Sequence, residues 1–223
     1  MLYSFPKSAK NNIFCKCMQY NELRVQLKDF LVFNLSDIRK IEPRFYRRRL
    51  NEWQAKGYIK KLRRGHYMFG DVPLNEEALY AVANRLYGPS YVSFEMALAH
   101  YGLIPEGVPS VTSASSRKTA SFRTPIADFS YRRIKPGLLF GYRLANHRGQ
   151  GYKIAEMEKA VLDYLYLNPN VAAPADFYEW RFNSQEFLAQ ADMSKLNGYA
   201  AAFNNKRLSE RLKNLLTLAR RAE

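Results

Sequence analysis

The chain has 223 residues, 47% of them hydrophobic and 14% aromatic, which is apolar material enough for one large or two small cores. Its formal net charge of +15 suits a polyanionic partner such as nucleic acid or an anionic membrane surface. No run of 18 apolar residues occurs, and Pro6, Lys7, Lys10, Asn11 and Asn12 interrupt the first twenty positions, so a cytoplasmic protein with no membrane partner is expected.

The charge is uneven. Residues 1–72 carry 16 Lys and Arg against 6 Asp and Glu, while residues 73–223 carry 19 against 14. One third of the chain therefore holds two thirds of the excess, as expected if one module meets the polyanion. Cys15 and Cys17 are the only cysteines, which excludes a disulfide framework. With His66 the nearest histidine, they supply too few ligands for zinc, so no metal or cofactor is expected.

In chain order, residues 1–19 lack periodicity and read as an arm. Asn21 is the predicted cap of a first helix that turns Leu23, Leu27, Phe30 and Leu31 to one side. Asn34 to Asp37 offers capping side chains for a second helix with Ile38 and Ile41 inward. Pro43 suits the start of a third helix, which runs to about Lys56 and ends at Gly57. Tyr58 to Leu62 and His66 to Phe69 read as two strands joined through Arg63, Arg64 and Gly65. Gly70, Asp71 and Pro73 mark a boundary.

Beyond it, helices are predicted at about Asn75 to Leu86 and Ser93 to Tyr101. Strands follow near Ser110 to Ser115, Ala120 to Phe122, Asp128 to Ile134, Leu138 to Tyr142 and Tyr152 to Ile154. From Ala155 the pattern is helical. It closes on a helix that puts Leu208, Leu212, Leu215, Leu216 and Ala219 on one face. The predicted fold class is α+β: an N-terminal winged helix-turn-helix over residues 20–72, then a mixed α/β domain over 73–223 ending in helices.

On a helical wheel of the third helix, Tyr46, Leu50 and Trp53 face the core. The opposite side presents Arg44, Arg48, Asn51 and Ala55, with Arg47 on its flank and Arg49 and Lys56 at the border, within reach of phosphates. Arginine donates two hydrogen bonds to guanine O6 and N7, and asparagine pairs bidentately with adenine, so Arg44, Arg48 and Asn51 are the predicted base contacts. Lys60, Lys61, Arg63 and Arg64 on the hairpin are assigned to phosphate or minor groove. A second basic set, Arg117, Lys118, Arg123, Arg132 and Arg133, surrounds the predicted strands and reads equally as a nucleic-acid surface or a solvated sheet face.

An enzymatic alternative is a metal-dependent nuclease built on Asp128, Glu156, Glu158 and Lys159. The E-M-E-K spacing departs from the expected acid-x-Lys pair, and a helix start accounts for the acids. Walker loop, nucleophile elbow and H-E-x-x-H are all missing, and a non-enzyme is expected. Glu95 and His100 read as a solvated carboxylate and a packed or surface histidine.

Residues 91–105 (YVSFEMALAHYGLIP), 110–134 (SVTSASSRKTASFRTPIADFSYRRI), 140–142 (FGY) and 152–166 (YKIAEMEKAVLDYLY) resemble the AbiEi family, antitoxin components of abortive-infection type IV toxin–antitoxin systems. With the N-terminal unit, the likeness covers roughly residues 20 to 170, departing at Met157, where relatives have proline, and at Ala127, where glycine is expected. The resemblance implies an autorepressor that binds inverted repeats in promoter double-stranded DNA. It also implies a second domain that opposes a nucleotidyltransferase-like toxin without a stable complex. A solitary winged-helix regulator with no toxin fits the same residues.

Overall fold

A computed structural model describes residues 18–105 and 107–221, and the chain is α+β with two separate sheets. Of the predicted arm, only Met18 and Gln19 fall within the described residues, and Cys15 and Cys17 lie outside them. Helix α1 (Tyr20–Gln26) starts before the predicted Asn21 cap. Gln19 is the cap, and its N–H donates to the Glu22 carboxylate at 2.7 Å. Leu23, Leu27 and Leu31 are buried, but Phe30 is turned outward, because the helix ends at Gln26 and its period no longer applies.

Strand β1 (Phe33–Asn34), absent from the sequence prediction, leads directly into α2 (Leu35–Ile41). Asn34 Oδ1 accepts from the N–H groups of Ser36 and Asp37, while the Asp37 carboxylate accepts from Asn34 N–H at 3.0 Å. This reciprocal box satisfies donors that the first helical turn leaves orphaned. Ile38 is fully buried and Ile41 half-buried.

Helix α3 (Arg48–Ala55) does not begin at Pro43 as expected. Glu42 is extended at φ −127° and ψ 94°, in keeping with the aversion of a pre-proline residue to helical geometry. The following turn drops Phe45, not Tyr46, into the core. Phe45, Leu50 and Trp53 are buried and Tyr46 is 72% exposed. Strands β2 (Ile59–Arg63) and β3 (His66–Phe69) pair antiparallel, with Gly65 at φ +81° in their turn, and the sheet order is β1-β3-β2.

The second sheet is mixed. Helix α4 (Glu76–Leu86), capped by Asn75, leads to β4 (Ser90–Val92), α5 (Phe94–His100), β5 (Ser110–Ser115), β6 (Ala120–Arg123) and β7 (Asp128–Arg133). A 3-10 turn (Pro136–Leu138), β8 (Tyr142–His147), β9 (Gln150–Ala155) and α6 (Met157–Leu167) follow. The order is β6-β7-β5-β4-β9-β8, parallel at β4–β9 and β5–β7 and antiparallel elsewhere. The strand expected at Leu138 to Tyr142 is instead the exit of that turn. Leu138 ends the turn and Gly141 is left-handed, so of that segment only Tyr142 joins a ladder, opposite Ala155.

Helix α4 covers one face of the sheet, where Tyr131 Oη donates to the Ala83 carbonyl at 2.7 Å. Helices α5 and α6 cover the other, where Met96 N–H donates to Thr112 Oγ1. Behind α6 lie α7 (Pro174–Glu179), α8 (Ser184–Gln190), α9 (Met193–Phe203) and α10 (Lys206–Arg221). Leu208, Leu212, Leu215 and Ala219 of α10 are buried, with Leu216 half-buried beside them.

The chain crosses between the units at Gly70 to Pro73, yet their packing interlocks. Leu23, Leu27, Phe33, Ile38, Phe45, Leu50, Trp53, Ile59, Tyr67 and Phe69 form the first core. Leu31, Val32, Leu62 and Met68, from the same unit, join the second. Strand β3 therefore sends Tyr67 and Phe69 to one core and Met68 to the other, as the alternation of a strand dictates. Gly70 closes the hairpin against the end of α3: its N–H donates to the Tyr58 carbonyl at 2.8 Å, and a Cβ there would land on the Gly57 carbonyl oxygen.

Candidate nucleic-acid interface

The third helix and its approach carry the densest unbalanced charge. From Arg44 to Arg64 there are nine Lys or Arg and one acid, Glu52. Phe45, Leu50 and Trp53 anchor this segment from beneath, leaving Arg44, Arg47, Arg48, Asn51, Gln54 and Lys56 exposed. Arg44 lies in the turn before α3, at the helix's leading edge and not on the helix. Arg48 is 87% exposed and lies 3.7 Å from Glu52, a pairing at the surface that water screens. Asn51, Gln54 and Ala55 line a shallow depression with Lys61 of β2, which joins the helix face to the hairpin.

The charge is also placed against the helix dipole. Arg47 caps α3 and Arg48 and Arg49 open it, with no acidic residue in the first turn. The helix N-terminus carries partial positive charge, so cations there cost about 0.3–1 kcal/mol each, and an anion is favoured. Stability alone selects against such an arrangement.

Not every residue assigned from sequence faces outward. Arg49 is half-buried, its guanidinium 5.2 Å over the Trp53 ring and its Nη2 donating to Gln19 Oε1 at 3.5 Å. Lys60 pairs across the ladder with buried Met68 and is itself half-buried. Arg63 turns into the second domain, its Nη1 donating to the Leu86 carbonyl at 2.8 Å. Lys61 and Arg64 remain exposed; among the described residues neither they nor Arg44, Arg47 and Lys56 form an ion pair. Burial depresses the pKa of His66, which follows the hairpin turn.

Sequence reasoning missed Tyr46 and Gln54. Exposure of Tyr46 follows from the turn at Pro43, and the adjacent Phe45 was the available signal for a shifted phase. Gln54 follows Asn51 by three residues, a spacing that puts both on one helix face.

The second basic set does not gather on one surface. Arg132 donates to Glu95 at 2.5 Å and lies 4.9 Å over Phe94. Arg123, 3.9 Å from Asp128, pairs at the sheet edge. Arg117 stacks over Tyr87 and donates to the Gly88 carbonyl, and Lys118 and Arg133 are exposed. His100 contacts Arg143 at 3.1 Å and meets Tyr80 edge-on, with its pKa depressed by burial and by that arginine.

The acids of the nuclease alternative are separately engaged. Asp128 is paired with Arg123, Glu156 accepts from Tyr199 Oη at 2.5 Å, and Glu158 accepts from Asp192 N–H at the start of α9. Lys159 is fully buried and bound to Asp163, which also accepts from Tyr91 Oη at 2.7 Å and Ser93 Oγ at 2.9 Å. Burial pushes the Lys159 pKa down and the Asp163 pKa up, each opposed by the other's charge. No group of three His, Cys, Asp or Glu among the described residues is placed to hold a metal. No helix of the described residues is long and apolar enough to cross a membrane.

No protein-family model and no curated protein matches this chain.

Proposed function

We propose that residues 20–72 are a winged helix-turn-helix that binds double-stranded DNA, with α3 in the major groove and the β2–β3 hairpin as the wing. The observation that carries this reading is the cluster of arginines at the N-terminus of α3, against the helix dipole and with no acid in the first turn. DNA phosphates remove that repulsion. Arg48 and Asn51 then meet base edges, Arg44 and Arg47 approach from the leading edge, and Lys56, Lys61 and Arg64 contact phosphates. Arg44 loses its assignment as a helix-borne base contact, and Arg49 and Arg63 act in packing.

In a mobility-shift assay on the DNA upstream of the protein's own coding sequence, Arg48→Ala with Asn51→Ala lowers affinity by at least about tenfold, each base contact contributing about 1–3 kcal/mol. Unchanged specific binding sinks the assignment.

The reading extends to an antitoxin that represses its own promoter. Its support is the sequence resemblance of residues 91–166 to the AbiEi family, whose matching segments meet inside the second domain through Tyr91, Ser93, Lys159 and Asp163. The expected counterpart is a nucleotidyltransferase-like toxin encoded beside it. Co-expression of the Arg48→Ala, Asn51→Ala chain with that toxin restores growth if the two activities reside in different domains. Continued growth arrest with the unaltered chain favours a solitary regulator.

A further inference from the structure

The β2–β3 ladder slips between Lys61, which faces Tyr67, and Arg63, which faces His66. A bulge of this kind re-aims the side chains around it. Here it turns Arg63 away from exposed Arg64 and into the second domain. Its Nη1 donates to the Leu86 carbonyl at the end of α4, an acceptor that the helix leaves unused and a position where the dipole favours a cation. The same guanidinium lies 4.9 Å over the ring of Phe122 in β6, which packs edge-on against Tyr131 and beside Tyr87. One side chain thus ties the hairpin turn to a helix end and to an edge strand, beside Leu62 and Met68 in the shared core.

We propose that Arg63 is a positioning residue that fixes the wing to the second domain, so that affinity for DNA depends on residues of that domain which do not touch DNA. The proposal rests on the DNA-binding reading above. Within its own sheet the hairpin is braced only by the two residues of β1, and a wing that must be ordered on binding loses affinity to the entropy of ordering.

The test measures affinity of the full chain for a mixed-sequence duplex of about 30 base pairs across a range of salt, well below the melting temperature of each variant. Arg63→Met and Phe122→Leu are each expected to weaken binding by about fivefold, with the double variant no weaker than either alone. Neither changes the slope of log affinity against log salt, because neither removes a phosphate contact. Arg64→Met reduces that slope by about 0.9. The proposal is overturned if Arg63→Met reduces the slope as Arg64→Met does while Phe122→Leu binds normally, since Arg63 then contacts phosphate directly. Normal affinity in both Arg63→Met and Phe122→Leu overturns it as well. Absence of binding by the unaltered chain defeats the DNA-binding reading itself, and this proposal with it.

Discussion

Two sets of charged side chains, one in each half of the molecule, are handled in opposite ways. In residues 20–72 the side chains of Arg44, Arg47, Lys56, Lys61 and Arg64 face water without an ion pair among the described residues. In the second domain, Lys159, Asp163, Glu158 and Arg211 are buried, and each is bound to a partner. A buried ion needs its complement within the fold, whereas an exposed surplus is only lightly penalised and stays available to a partner outside. If the DNA-binding proposal holds, the contrast separates residues kept for architecture from residues kept for recognition, and it can be attacked from both sides.

The largest effect is expected inside. Asp163→Ala leaves the Lys159 ammonium buried without its counter-charge and destabilises the chain by about 3–5 kcal/mol in denaturant unfolding. A loss below about 1 kcal/mol would mean that the interior pair is not a structural necessity, and the contrast would collapse.

Gly70→Ala comes next, at about 2 kcal/mol, because the new methyl meets a backbone oxygen that no rotamer change can move aside. Wild-type stability for this variant would show that the hairpin end is loosely seated against α3. Arg47→Glu reverses sign: an acid at the positive end of α3 stabilises by about 0.5 kcal/mol while DNA affinity falls by at least about tenfold. If stability falls instead, the arginines serve the fold, and the central argument for a recognition surface fails.

The smallest effect is in pH. Burial lowers the pKa of His66 in the first unit and of His100 in the second. Both therefore favour the neutral ring in the folded state. Their contribution is fully present above the unfolded value of about 6.5 and is lost as pH falls from there through the depressed folded values. The melting temperature should drop between about pH 7 and pH 5.5, and less so in His66→Gln. A flat profile in the unaltered chain would show that neither ring is held neutral.

Local chemistry made much of the fold legible. The Asn34 and Asp37 capping pair, the Arg64-Gly65 turn and the leucine stripe of α10 each carry their physical cause in a few adjacent residues. Elements decided by distant packing were harder to read. Strand β4 is three residues long and buried on both faces, so no alternation exposes it. The start of α3 is ambiguous in sequence because Pro43 tolerates both a helix start and a turn, and the burial of Phe45 decides for the turn. Arg63 and Arg64 are chemically identical neighbours, and only a bulge against β3 gives them different surroundings. Lys159 and Asp163 are four residues apart, a spacing that puts them on one helix face but does not disclose that the rings of Phe140 and Phe203 close over the lysine.

Strand β3, with alternate side chains in two cores, also bears on how this molecule can be taken apart. Cutting the chain near Asp71 would leave Leu31, Val32, Leu62 and Met68 as an uncovered apolar strip on the excised piece, prone to self-association. The first unit is thus poorly suited to trade as an independent cassette. A lineage that replaced its second domain would have to rebuild the back of the hairpin as well.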